Sequence, residues 1–229
     1  MRSLTCLVLA ALVALGVQVH AQVPADAAVH AVSYVDVLPS GRASTVAALE
    51  QYRDASRKDD GYVRFDLLEQ VGWPGHFAVV ETWRDQKAFD AHGTAAHTKQ
   101  YRDALQPIRV SGYDQRPYRT LTAAPPTGAG NADTVYIVAH VDIAGQGAQA
   151  EAPGLLRRLA EASRKEPGNL RFDVLQHMMR ANHYTVVETW QSQNAHVAHA
   201  AAVHTREYRD VVQPITGSPL DERLYKAVE

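Results

Sequence analysis

The chain has 229 residues, with 23 basic against 25 acidic side chains and 46% apolar residues. No basic run exceeds two residues, as in Arg57-Lys58, which argues against nucleic acid as a partner, because neutralising phosphates takes a concentrated basic face. Cys6 is the single cysteine, so the chain has no internal disulfide and no multi-cysteine metal centre.

The chain begins with Arg2, then an uncharged apolar run, Leu4–Val17, then Val19-His20-Ala21 ahead of Gln22. Residues 1–21 therefore read as a cleaved secretory signal peptide. The alternative is a short membrane-tethering helix, but the run is short for a span and no charged stop-transfer cluster follows it. A periplasmic or secreted protein is expected, without a stable membrane anchor and with no thiol in its mature chain.

His30–Val37 is apolar and β-branched, and reads as an opening strand. Val46, Leu49 and Tyr52 then fall at helical spacing, and Gly61 marks where that helix stops. Tyr62–Gln70 and Phe77–Trp83 read as a strand pair joined by Gly72-Trp73-Pro74-Gly75. Val63, Phe65 and Leu67 are expected on one face of the first of these strands, and Arg64, Asp66 and Leu68 on the other. Ala88, Phe89 and His92 return to helical period, with a break expected at Gly93-Thr94, a helix near Ala95–Leu105 and a last strand near Tyr113–Leu121. Thr122–Asp133 is rich in Pro, Gly and Ala and reads as a linker.

Beyond the linker the chain repeats itself. Ala162–Tyr225 superposes without a gap on Ala55–Tyr118 at a constant shift of 107 residues, with about half the positions identical. A unit this long exceeds the roughly 20–50 residues of solenoid repeats, so each copy can form a small domain. The copies are placed at 29–121 and 134–228. The order β-α-β-β-α-β in each is the ferredoxin-like arrangement of the α+β class, whose sheet has one bare face. Each copy is expected to cover the other's bare face, giving an intramolecular pseudo-dimer that can also pair further as a homodimer.

One spacing recurs in both copies: Glu-x-Trp, eight residues, His, four residues, His, three residues, Tyr. It comprises Glu81, Trp83, His92, His97 and Tyr101, then Glu188, Trp190, His199, His204 and Tyr208. Glu81 and Trp83 share a strand face, and His97 and Tyr101 share a helical stripe. If the two surfaces meet, they enclose a space suited to a flat ligand with an exchangeable proton. Each residue also has a plain structural reading. The tryptophans can be core, the glutamates can pair with Arg64 or Arg102 and Arg171 or Arg209, and His92 and His199 can cap a helix end. His97 and His204 stand near a helix start, which disfavours the imidazolium and keeps a base available. No metal site is expected, because a five-residue separation interrupted by a break does not set His92 and His97 side by side on one helix. His196 and His199 would serve only the second copy, and no residue is singled out as a haem ligand.

These motifs, with Lys165–Gln176, resemble the antibiotic biosynthesis monooxygenase family, and the resemblance spans both copies. It implies a dimeric α+β barrel in which two sheets pack face to face. It further implies an oxidoreductase of the quinol monooxygenase kind, acting with O₂ and without a cofactor on a small aromatic or enolic substrate. His97, His204, His92 and His199 would be catalytic. Trp83, Trp190, Tyr101, Tyr208, Phe65, Phe172, Arg64 and Arg171 would bind substrate. The chain departs from the family pattern in carrying Val79 and Val186 where some members have Asn, and Ala96 and Val203 where Pro is frequent. Two other readings stand beside oxygenation: a proton-transfer isomerase of a hydroxyketone, with Arg64 and Arg171 holding a phosphate, and a non-catalytic small-molecule binder.

Overall fold

The structure, a computed structural model, describes residues 27–228; the expected signal segment lies outside them. The first repeat runs β1 (Val29–Asp36), α1 (Arg42–Ser56), β2 (Tyr62–Gln70), β3 (His76–Trp83), α2 (Gln86–Thr94), α3 (Ala96–Leu105) and β4 (Asp114–Thr122). The second runs β5 (Val135–Asp142), α4 (Gln146–Ser163), β6 (Asn169–His177), β7 (His183–Trp190), α5 (Gln193–Ala201), α6 (Val203–Val212) and β8 (Asp221–Ala227).

All strand pairs are antiparallel, and each repeat forms a four-stranded sheet, in the orders β4-β1-β3-β2 and β8-β5-β7-β6. The sheets do more than face each other. Their edges pair, β2 with β8 and β4 with β6, closing an eight-stranded barrel. Closure removes the open edges that an isolated ferredoxin-like sheet would expose.

Side-chain alternation divides the interior into three cores. Val35, Phe77 and Val79 pack under the helices of the first repeat, and Val141, Val174 and Val186 under those of the second. Between them Val32, Val80, Val138, Val187, Tyr118 and Tyr225 fill the barrel lumen. A bulge between Tyr62 and Arg64 departs from the expected alternation: Val63 is half exposed, while Phe65 and Leu67 still face the helices.

Two local devices position the helices that matter for function. Gly61 and Gly168 sit at φ 80° and 82°, and a Cβ there would come within 2.4 Å of the Ala88 Cβ and 2.8 Å of the Ala195 Cβ. Glycine therefore permits both the left-handed backbone and the close approach of α2 and α5. The break after α2 falls at Ala95, not at Gly93-Thr94. Ala95 is extended (φ −65°, ψ 149°), ending α2 and starting α3, and Ala202 (φ −63°, ψ 148°) does the same between α5 and α6. Thr98 donates to the His92 carbonyl at 2.6 Å and holds the first of these corners.

Candidate functional site

The helix-facing side of β3 carries Glu81 and Trp83, both fully buried. The Trp83 indole donates to Glu81 Oε2 at 3.0 Å, and on β7 the Trp190 indole donates to Glu188 Oε2 at 2.7 Å. Burial raises both carboxyls to about 7, against the opposing pull of the indole bonds. The expected arginine partners are absent. Arg102 donates to Gln115 and Arg209 to Glu222, while Arg64 and Arg171 lie on the other face of the sheet.

The corner between α2 and α3 gathers the histidines. The His92 ring stacks on Trp83 with centroids 4.2 Å apart, and His199 stacks on Trp190 at 4.7 Å. His92 Nδ1 lies 2.8 Å from Asp59 Oδ2, and His97 Nε2 lies 3.1 Å from the same oxygen. In the second repeat His199 Nδ1 and His204 Nε2 lie 2.6 and 2.9 Å from Glu166 Oε1. Residues five apart on a straight helix point about 140° away from each other. The extended residue at the corner turns α3 so that both imidazoles approach one carboxylate, although, as the spacing implied, they do not share a face of one helix. Burial lowers the pKa of His92 and of His199, outweighing the carboxylate that raises it.

From this point the repeats diverge. In the first, Tyr52 stacks on Tyr101 at 4.1 Å and its hydroxyl meets His92 Nε2 at 2.6 Å, while Phe65 packs edge-on against Tyr52. Tyr113 lies under the Arg102 guanidinium at 5.3 Å. These rings fill the space between sheet and helices, and the Tyr101 and Tyr113 hydroxyls, Ser33 Oγ and Glu81 Oε1 are buried there without partners. In the second repeat the corresponding residues are Leu159, Leu220 and Ala139, and a cavity of about 30 Å³ remains. Glu188, His199, Tyr208, Arg209 and Glu222 border it, and the Tyr208 hydroxyl has no hydrogen-bond partner. Phe172 packs edge-on against His199.

Thus the structure brings Trp83, His92, His97, Tyr101 and Phe65 together in one repeat and Trp190, His199, His204, Tyr208 and Phe172 in the other. His204 does not border the cavity; its Nε2 lies 2.9 Å from Glu166 Oε1. Arg64 and Arg171 do not join either group. They point into the lumen, where Arg64 pairs with Asp66 at 2.7 Å and Arg171 pairs with Asp173 and, across the repeats, with Asp66 at 3.1 Å. A phosphate-binding role between sheet and helices is therefore closed to them. The sequence reading missed the site roles of Asp59, Glu166, Tyr52 and Glu222; the shared position of Asp59 and Glu166, two residues before Gly61 and Gly168, was the available signal.

A closed barrel of two ferredoxin-like halves, with a buried Glu–Trp–His cluster under each pair of helices, defines a fused dimeric α+β barrel. The antibiotic biosynthesis monooxygenase profile matches residues 28–104 and again 134–211, and the chain belongs to that family. It is 31% identical over 65 residues to a Bacillus subtilis (strain 168) protein named "Putative monooxygenase YcnE", a stretch covering 28% of this chain and 68% of that one. The whole fold is similar to a Fusobacterium nucleatum protein that likewise carries the name "Putative monooxygenase" (TM-score 0.80, 14% identity, 89% of this chain and 93% of that one). It is also similar to an anthrone oxidase-like protein (TM-score 0.67, 13% identity, 89% and 92% covered). Among the described residues no helix is long and apolar enough to cross a membrane.

Proposed function

We propose that the protein is an exported oxygenase that places one atom of O₂ into a small electron-rich aromatic or enolic molecule, a quinol being the simplest case. The second repeat would hold the reaction chamber. One observation carries this reading: a carboxyl, a phenol without a hydrogen-bond partner and a guanidinium border one cavity in that repeat, whereas rings fill its counterpart. Export rests on the composition of residues 1–21.

Glu188 accepts the proton of a substrate hydroxyl, and Arg209 with the Tyr208 hydroxyl stabilises the anion that forms. The anion passes one electron to O₂, and the two radicals join through a new carbon–oxygen bond to give a peroxide. Loss of water from the peroxide leaves a carbonyl. A hydroquinone and O₂ thus yield a hydroxyquinone and water, and the substrate supplies every electron. A cavity of about 30 Å³ takes a water or two but no ring, so substrate entry swings out Leu220, which is exposed at the mouth.

Oxygen uptake across a panel of quinols, with ¹⁸O₂ and mass analysis of the product, tests the reading. Label in the product, with turnover reduced about 10²–10⁴-fold in Glu188→Gln, is the expected result. Enzyme-independent oxidation across the whole panel, or unchanged turnover in the variant, would overturn it.

A further inference from the structure

We infer that each repeat carries a binding site for a divalent transition-metal ion of the Zn²⁺ or Co²⁺ kind. Its ligands are Asp59, His92 and His97 in the first repeat and Glu166, His199 and His204 in the second. In each set the three donor atoms lie within 4.8 Å of one another. Ligands bound tetrahedrally at about 2.1 Å stand about 3.4 Å apart. The contacts of 2.8 and 3.1 Å to Asp59, and of 2.6 and 2.9 Å to Glu166, need to open by less than one ångström to admit an ion. Two imidazoles with one carboxylate suit a first-row transition ion better than Mg²⁺ or Ca²⁺, which take oxygen ligands.

The surroundings of His92 have the form that a metal-bound histidine requires. A ligating imidazole presents its second nitrogen to a carboxylate or similar acceptor, which fixes its orientation. With Nδ1 of His92 on the ion, Nε2–H faces Glu81 Oε2 at 3.5 Å and the Tyr52 oxygen at 2.6 Å. The same nitrogen of His199 faces Glu188 Oε2 at 3.9 Å. Trp83 and Trp190 pin these carboxylates, so the Glu-x-Trp pair, the corner and both histidines act as one construction. In the first repeat a cavity of about 150 Å³ adjoins Asp59 and His92, lined also by Asp60, Arg84 and Lys87, and leaves coordination positions open to water or a small ligand.

The internal repeat adds an independent argument. Around these triads the repeats have diverged, Tyr52 against Leu159, Tyr113 against Leu220 and Phe89 against His196, while both triads keep two imidazoles and a carboxylate. Hydrogen bonding alone does not account for the first triad: His97 Nε2 lies 3.1 Å from Asp59 Oδ2 yet is buried without a hydrogen-bond partner. The inference concerns ion binding and stands whether or not the protein oxygenates quinols.

The test is calorimetric titration of the chelator-treated protein, purified without a histidine tag, with ZnCl₂ and with MgCl₂, and a visible spectrum with CoCl₂. Two Zn²⁺ per chain, a ligand-field cobalt spectrum and no Mg²⁺ heat are expected. His92→Ala with His97→Ala should leave one ion, as should His199→Ala with His204→Ala, and the fourfold variant none. Asp59→Asn and Glu166→Gln, which keep side-chain size, guard against misfolding and should each remove one ion from the stoichiometry. Glu81→Gln should weaken binding at the first site about 10–100-fold. No Zn²⁺ binding by the unsubstituted protein, or binding that survives the fourfold substitution, would overturn the inference.

Discussion

The two repeats share a backbone and a signature but not an interior. Beneath the helices of the first, Tyr52 and Tyr113 occupy the space that Leu159 and Leu220 leave partly open in the second. Each Glu–Trp pair and each histidine corner is retained, so the difference lies in what fills the chamber. The barrel needs both halves for its closure, whereas the proposed chamber lies in one. The other is free to gain aromatic packing, which buries large apolar rings at the cost of leaving the Tyr113 hydroxyl without a partner.

Exchanging the rings should have the largest effect. Leu159→Tyr with Leu220→Tyr rebuilds the first repeat's filling inside the second. It should reduce quinol turnover at least as far as Glu188→Gln does, about 10²-fold or more. Turnover unaffected by the exchange would move the chamber away from the second repeat.

The lumen offers a second contrast. Arg171 is buried among Asp173 and Asp66, whereas its counterpart Arg64 is partly exposed. Arg171→Ala leaves Asp173 buried without its partner, while Asp66 keeps Arg64, and should cost about 3–5 kcal/mol in urea unfolding. Arg64→Ala should cost about 1 kcal/mol or less. Equal costs would mean that the two halves of the lumen are not distinguished by burial.

A smaller effect per unit of pH should come from histidines that occur in one repeat only. His30 has Tyr136 as its counterpart, and His140 has Tyr34, whose hydroxyl it meets at 2.5 Å. His30 bonds Thr82 and Thr120, and burial, with Arg171 adding to it and Asp173 opposing, lowers its pKa to about 4. Burial and Arg116 lower that of His140 to about 3. Between these values and the unfolded value of 6.5 the unfolded chain binds more protons than the folded one. Stability should therefore fall as pH drops below about 6.5, by about 1.4 kcal/mol per unit for each histidine, until about pH 4 for His30. His30→Asn should remove one histidine's share of the slope between pH 6 and 4, measured by urea unfolding; an unchanged slope would show that His30 does not stay neutral in the folded barrel.

Much of the fold was legible in the sequence because it depends on local pattern. The 107-residue repeat, the alternation along β3 and β7 and the helical spacing of α1 and α4 are written in residue order; those helices stop at Ser56 and Ser163, ahead of Gly61 and Gly168, which instead turn the chain into β2 and β6. The Glu-x-Trp…His…His…Tyr spacing likewise marked the residues that cluster under the helices. Three matters were decided only in three dimensions. Barrel closure depended on which edges could pair, and pairing across the linker leaves no periodic trace. The side of the sheet taken by Arg64 and Arg171 was readable from alternation, but their partner Asp66 reaches Arg171 from the other repeat, and that contact is set by how the halves dock. The corner at Ala95 and Ala202 turned a spacing that is wrong for one helix into a meeting of two imidazoles on one carboxylate. Sequence determines which side chains a strand or helix presents; only packing decides which of them share a space.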